Sequence, residues 1–270
     1  MKEPLLKDKQ PSQPQDGKRQ AVYDWFEQPL GRSIQAIEVD RLRPVLASLY
    51  AVRAVQVGSI SSFDLLGSCD APSRYIVDPV PDRGDEFRAQ VRAFPEALPF
   101  DSKSIDLMLL PHTLDFSDHP HQVLREAERV LIPEGHVVIL GFNPVSLWGL
   151  RRLFTRRGRR AAPWDANFIG LRRIKDWLAL MHFEITGGSM LYYRPPRTNS
   201  SLLDRLIALD KIGDRWWPMM AGVYLLVARK RVAGLTPIRP QWRLRLVKDG
   251  LGQVSSYRGL GKVGRMKVIK

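Results

Sequence analysis

Three histidines, His112, His119 and His121, fall within ten residues of one another beside Asp115 and Asp118. Imidazoles and carboxylates at such spacing could converge on a metal ion. The local pattern favours another use, because Asp118 can cap a helix whose first turn takes Pro120. No metal site is therefore expected. His112 differs from the other two: it follows an apolar run directly, where a strand would deliver it as a base or an acceptor contact, with Asp115 three residues on. Asp78 likewise closes an apolar run, and Gly58-Ser59-Ile60-Ser61-Ser62 follows another. Cys69 is the single cysteine, which excludes an intrachain disulfide framework and any multi-cysteine zinc site.

The elements that must position these residues are legible as alternating short apolar runs and amphipathic stretches. Ala54–Val57, Arg74–Val77, Ile105–Leu110 and Val137–Leu140 have the Val, Ile and Leu content of buried strands. A helix is expected over Leu30–Leu49, with Pro44 as a potential break. A second is expected over Gln122–Leu131, burying Val123, Leu124, Ala127, Val130 and Leu131 and turning Arg125, Glu126, Glu128 and Arg129 outward. Pro133-Glu134-Gly135 then turns into the next strand. Further on, Ile174–Met181 and Ser201–Ile212 read as helices, and Phe183–Met190 and Val223–Ala228 as strands. Strands alternating with helices imply parallel crossovers, hence an α/β sheet with helices on both faces. Such a sheet binds ligands at the carboxyl ends of its strands. That rule selects the loops at Gly58, Asp78, Pro111-His112-Thr113 and Gly141-Phe142-Asn143-Pro144. Asp78 is placed to accept hydrogen bonds from ribose hydroxyls; the local alternative is a turn cap ahead of Pro79.

Two blocks carry a family resemblance. Leu98-Pro99-Phe100-Asp101, followed by Ser104-Ile105-Asp106-Leu107, resembles the segment that leads into the fourth strand of class I S-adenosylmethionine-dependent methyltransferases of the type 11 branch. The run Leu124-Arg125-Glu126-Ala127-Glu128-Arg129-Val130-Leu131-Ile132-Pro133-Glu134-Gly135 is similar to that family's segment before strand five. The likeness spans about Val52 to Leu140, and Gly141–Gly149 looks like a small bacterial subgroup of the family. The resemblance implies a Rossmann-like, mostly parallel sheet of seven strands, the last antiparallel. It implies S-adenosylmethionine as cofactor, held by Gly58 and Ser59, by Asp78, by Glu96, Ala97 and Leu98 within the Phe94–Leu98 stretch, and by Pro111. His112 and Thr113 would face the methyl group and the acceptor, with Asp115 as a second acceptor-side candidate. The acceptor itself is not implied.

The sequence departs from the family pattern in two places. Of the usual glycine loop only Gly58 remains, with Gln56 for the leading acid and Ile60 at a glycine position. The acid that contacts adenine is replaced by Ala93 or Phe94. A non-catalytic relative, using the fold as a binding module for nucleic acid or an anionic membrane surface, is therefore the alternative to a methyltransferase. Asn143-Pro144 is not the motif of amino-methylating nucleic-acid enzymes, because it follows strand five rather than strand four.

Charge divides the 270 residues unevenly: residues 1–150 are net −5 and residues 151–270 net +19, within an overall +14. Anionic partners are the expectation, RNA or a membrane surface, through residues 151–160 and the tail 233–270. A solvated basic face is the plain alternative. Pro144–Arg160 mixes Leu147, Trp148, Leu150, Leu153 and Phe154 with six arginines, the composition of an interfacial helix. The longest apolar stretch, Met219–Ala228, is too short to cross a bilayer. Residues 1–20 lack an apolar signal region and read as a flexible arm, 21–232 as the methyltransferase-like domain, and 233–270 as a basic tail. The expected compartment is the cytoplasm.

Overall fold

Near-continuous burial along the central strands gives the sheet an apolar layer on each face. In a computed structural model, residues 14–59, 65–79, 90–154, 162–196 and 217–231 are described. All belong to one compact unit within Met1–Ala233. The expected helix 201–212, the loop residues Ile60, Ser61 and Ser62, and the basic tail lie outside the described residues.

The elements run α1 (Pro14–Phe26), α2 (Pro29–Ser48), β1 (Arg53–Val57), β2 (Ser73–Val77), β3 (Ile105–Pro111), α3 (Thr113–Phe116), α4 (Pro120–Val130), β4 (Leu131–Phe142), α5 (Leu147–Phe154), α6 (Leu171–Leu180), β5 (Phe183–Leu191) and β6 (Val223–Lys230). The sheet order is β2-β1-β3-β4-β6-β5. The first four strands pair in parallel, and β6 runs antiparallel to both β4 and β5. The β3–β4 crossover passes through α3 and α4, as a parallel pair requires, whereas β6 lies between β4 and β5 and runs the opposite way.

Consecutive strand residues serve opposite layers. Leu107 and Leu109 join Trp25, Phe26, Ile34, Leu42 and Trp148 on the α1–α2–α5 face. Met108 and Leu110 join Val123, Leu124, Ile174 and Leu178 on the α4–α6 face. Both layers are needed because a parallel sheet must be covered on two sides. On α2 the residues Leu30, Ile34, Glu38, Leu42 and Leu46, four apart, form the buried stripe. Pro44 lies within α2 without ending it, since the helix continues to Ser48.

Four expectations are corrected. The described sheet has six strands rather than seven; a lone parallel bridge joins Val77 to Val91, and the chain then bends back through a Phe94–Ala97 bridge, so no ladder extends. The stretch read as an arm to residue 20 reaches into α1, which begins at Pro14. The cap of α4 is His119, not Asp118, and the His119 side chain makes no capping hydrogen bond; Pro120 takes the first turn as expected. Glu126 is not outward but buried, for the reason given below.

Candidate cofactor and acceptor site

The carboxyl ends of β1 and β3 open onto one small cavity. Gly58, Ser59, Pro111, His112 and Thr113 line it, with Val22 of α1 and Phe116 of α3 closing it, around about 300 Å³ of atom-free space. That figure includes open solvent; the enclosed room is about 20 Å³, on the scale of a single water. Sequence reading separated these residues by more than fifty positions; parallel pairing of β1 with β3 brings them together.

Gly58 has φ +94°, a conformation open to glycine and strained for other residues. Its N–H donates to Val77 O at 2.8 Å, which turns the loop toward β2. A Cβ at this position would meet Thr113 Oγ1 at 3.1 Å. Thr113 Oγ1 in turn donates to Val57 O, locking the β1 and β3 ends together. The next amide, Ser59 N–H, donates to Asp78 Oδ2 at 2.8 Å, and Asp78 is fully buried at the end of β2. The carboxylate therefore orders the turn that follows β1.

The Glu96–Leu98 stretch is held from two sides. Ser117 Oγ donates to Glu96 Oε1 at 2.5 Å. Leu98 N–H donates to Glu126 Oε1 at 2.8 Å, and Arg129 closes on both Glu126 oxygens at 2.6 and 2.9 Å while also reaching Leu98 O at 3.1 Å. The Arg129 hydrogen bonds hold the Glu126 carboxyl below its usual range, against a smaller opposing effect of burial. Glu126 was missed as a site residue; its spacing of three from Arg129 was the available signal. Ala97 is exposed, and Phe94, in the place of the adenine-contacting acid, is 44% exposed.

His112 is fully buried, in the left-handed region at φ 51°, with both ring nitrogens engaged. Nε2–H donates to Glu38 Oε1 at 2.8 Å and Nδ1–H to Asp115 Oδ2 at 3.0 Å. Burial opposes the imidazolium, but the Glu38 charge, the two hydrogen bonds and the Asp115 charge outweigh it and hold the pKa at about 9. Burial raises the pKa of the Asp115 carboxyl, only partly offset by His112 and by the Phe142 N–H that donates to Oδ2 at 2.9 Å. Tyr224, buried on β6 and facing the Asp115 charge, is raised well above its usual value. Phe142 packs on the imidazole with centroids 4.2 Å apart. Glu38 was not among the expected residues. An acid interrupting the apolar stripe Leu30, Ile34, Leu42, Leu46 was its signature.

Among the described residues no group of His, Cys, Asp and Glu is arranged to hold a metal ion. His121 instead packs on Trp177 at 3.7 Å between centroids. Asn143 is structural: its side-chain amide donates to Met219 O at 2.8 Å and Ala221 O at 2.9 Å.

Residues 80–139 match the family described as methyltransferase domain, type 11. Protein YafS of Escherichia coli K12 is 33% identical over 212 residues, covering 78% of this chain and 82% of that one. Among solved structures, a Thermotoga maritima S-adenosylmethionine-dependent methyltransferase, described as a possible histamine N-methyltransferase, superposes with TM-score 0.56 at 17% identity, over 77% of this chain and 94% of its own. A methyltransferase from Archaeoglobus fulgidus gives 0.50 at 16% identity, over 71% and 92%. The chain belongs to the class I S-adenosylmethionine-dependent methyltransferases, and its strand order, with one antiparallel strand among parallel ones, is their sheet.

S-adenosylmethionine is accordingly the cofactor. Gly58 presents bare backbone to the cavity, and Asp78 supplies a carboxylate at the end of the adjacent strand. Among the described residues no helix is long and apolar enough to cross a membrane.

Proposed function

We propose that Gly58, Ser59, Asp78, the Glu96–Ala97–Leu98 stretch and Pro111 hold the cofactor, and that the acceptor enters on the His112 side. The observation that carries this reading is the convergence of Gly58, Ser59, Pro111 and His112 on one cavity, with Asp78 bonded to the same loop. S-adenosylmethionine, when bound, supplies an activated methyl group on a sulfonium. The protein's task is then to align the acceptor and exclude water rather than to perform demanding acid–base chemistry.

His112 and Asp115 are positioning residues in this proposal. An imidazolium with both N–H groups donated has no lone pair to take a proton. It forms the charged wall of the acceptor side and pins α2, through Glu38, against the loop after β3. When both carboxyl groups are ionised the cluster carries one net negative charge, which favours a cationic donor in the adjacent cavity. The proposal extends to a cytoplasmic setting, consistent with a lone buried cysteine, and to an anionic partner for the basic half of the chain.

Calorimetric titration with S-adenosylhomocysteine tests the assignment. Asp78→Ala removes both the loop's hydrogen-bond acceptor and the ribose contact. Affinity should fall by about tenfold or more, as for a lost charge-assisted hydrogen bond. Unchanged affinity in Asp78→Ala, or no binding by the natural chain at millimolar ligand, would refute it.

A further inference from the structure

The rim beside the methyl-transfer site carries apolar side chains that the site does not use. Helix α5 buries Trp148 and Gly149 and turns Leu147, Leu150, Leu153 and Phe154 outward, at 42, 49, 75 and 81% exposure. Their spacing places them on one helical stripe. Asn143 fastens the turn leading into α5 to the turn at Pro218–Met220, through bonds to Val145 O, Met219 O and Ala221 O. That second turn exposes Trp217 at 60% and Met219 at 54%. A cluster of large apolar groups on one edge marks an interaction surface.

Charge identifies the occupant. From Gly135 to Trp164 the sequence contains six arginines and no Asp or Glu. Arg151 stacks on Trp164 at 4.9 Å and Arg152 on Phe168 at 5.2 Å, so these two cations are anchored beside the stripe. A second copy of the chain would bring like charges together across a two-fold contact. Single-stranded RNA would ask for exposed rings on which bases stack, whereas this helix offers mainly leucines and spends its nearby aromatics on its own arginines. An apolar stripe flanked by arginine suits the boundary between acyl chains and anionic head groups.

We propose that α5 and the Trp217–Met220 turn dock the protein on an anionic bilayer surface, and that the methyl acceptor is an amphiphile held in that surface. The docking surface follows β4 directly, and His112 N–H is bonded to Leu140 O of the same strand at 3.0 Å. The surface and the cavity therefore share the carboxyl edge of the sheet. The substrate half of the proposal rests on the methyl-transfer reading; the docking half does not.

The test is flotation of the full chain with vesicles of phosphatidylcholine alone and of an equal mixture with phosphatidylglycerol, at low and high salt. The chain should float with the anionic vesicles, less at high salt, and poorly with the neutral ones. A double variant, Leu153→Glu with Phe154→Glu, should lose vesicle partitioning by at least about tenfold with its unfolding curve unchanged. Leu150→Gln, made separately, keeps the test open should the double variant fail to fold. Equal flotation of folded variants and natural chain overturns the proposal. So does binding to a single-stranded RNA oligomer without binding to vesicles. Titration of the same samples with S-adenosylhomocysteine separates the two halves. Flotation without cofactor binding leaves docking standing and removes the substrate assignment, whereas cofactor binding without flotation removes both halves and leaves only the methyl-transfer reading.

Discussion

Glu38→Gln should abolish a pH dependence that the buried Glu38–His112–Asp115 cluster imposes on folding. The substitution keeps a hydrogen-bond acceptor opposite His112 Nε2 but removes the charge. In the natural protein the His112 pKa rises on folding from 6.5 to about 9. At about 1.4 kcal/mol for each tenfold, that displacement corresponds to roughly 3 kcal/mol. Domains are commonly stable by only about 5–15 kcal/mol, so the change is measurable. The native state binds the proton more tightly than the unfolded state. Its contribution is therefore complete below pH 6.5 and is lost as pH climbs through about 9. Asp115, raised by burial, has the same sign. His136 is lowered, by burial and by Arg229, so its contribution is lost as pH falls and it leaves the alkaline window to His112. Urea unfolding at a series of pH values from below 6.5 to above 9 reads the effect. In Glu38→Gln, burial of the imidazole is no longer outweighed, the profile flattens, and the two proteins converge at the alkaline end. A flat profile in the natural protein, or parallel profiles in the two, refutes the reasoning.

Other consequences are checked with the same assays. Gly58→Ala forces a side chain into φ +94° and against Thr113 Oγ1 at 3.1 Å; it should cost about 1–3 kcal/mol in urea unfolding and weaken S-adenosylhomocysteine binding. Glu126→Gln removes the charged acceptor of the Leu98 N–H and the Arg129 pair, with an expected loss of about 1–2 kcal/mol. Because the Glu126 pKa is lowered on folding, its contribution is present above pH 4.5 and disappears as pH falls. The acid limb of Glu126→Gln should therefore be flatter than that of the natural protein, and parallel limbs would refute the pairing. Leu124→Ala, at a position with no exposure on α4, should cost about 2–5 kcal/mol by equilibrium unfolding.

Six strands and the helices α2, α4 and α6 were legible in the sequence because local periodicity and burial agree there. Val123, Leu124, Ala127 and Val130 are at helical spacing and all are buried. Each apolar run such as Ile105–Leu110 can be satisfied only between two covered faces. Turn chemistry was less legible. Asp118 has the side chain of a cap, yet His119 takes the place, because Ser117 Oγ already accepts the His119 N–H at 3.0 Å and draws the chain into that start.

The site was half visible. Gly58, Asp78 and His112 are marked by their places after apolar runs, which depend only on chain order. Glu38 and Glu126 carry only weak local marks, an acid within an apolar stripe and a spacing of three from Arg129, and neither mark names a partner 74 or 28 residues away. The sequence by itself determined the alternation of elements, the class of sheet and the positions of the strand ends at which such sheets bind ligands, because periodicity and turn residues act within a few positions. Only the tertiary structure decided that His112 lies between two carboxyl groups and that Glu126 holds Leu98. Those outcomes depend on which distant surfaces the crossovers press together and on the cost of burying a charge without a partner.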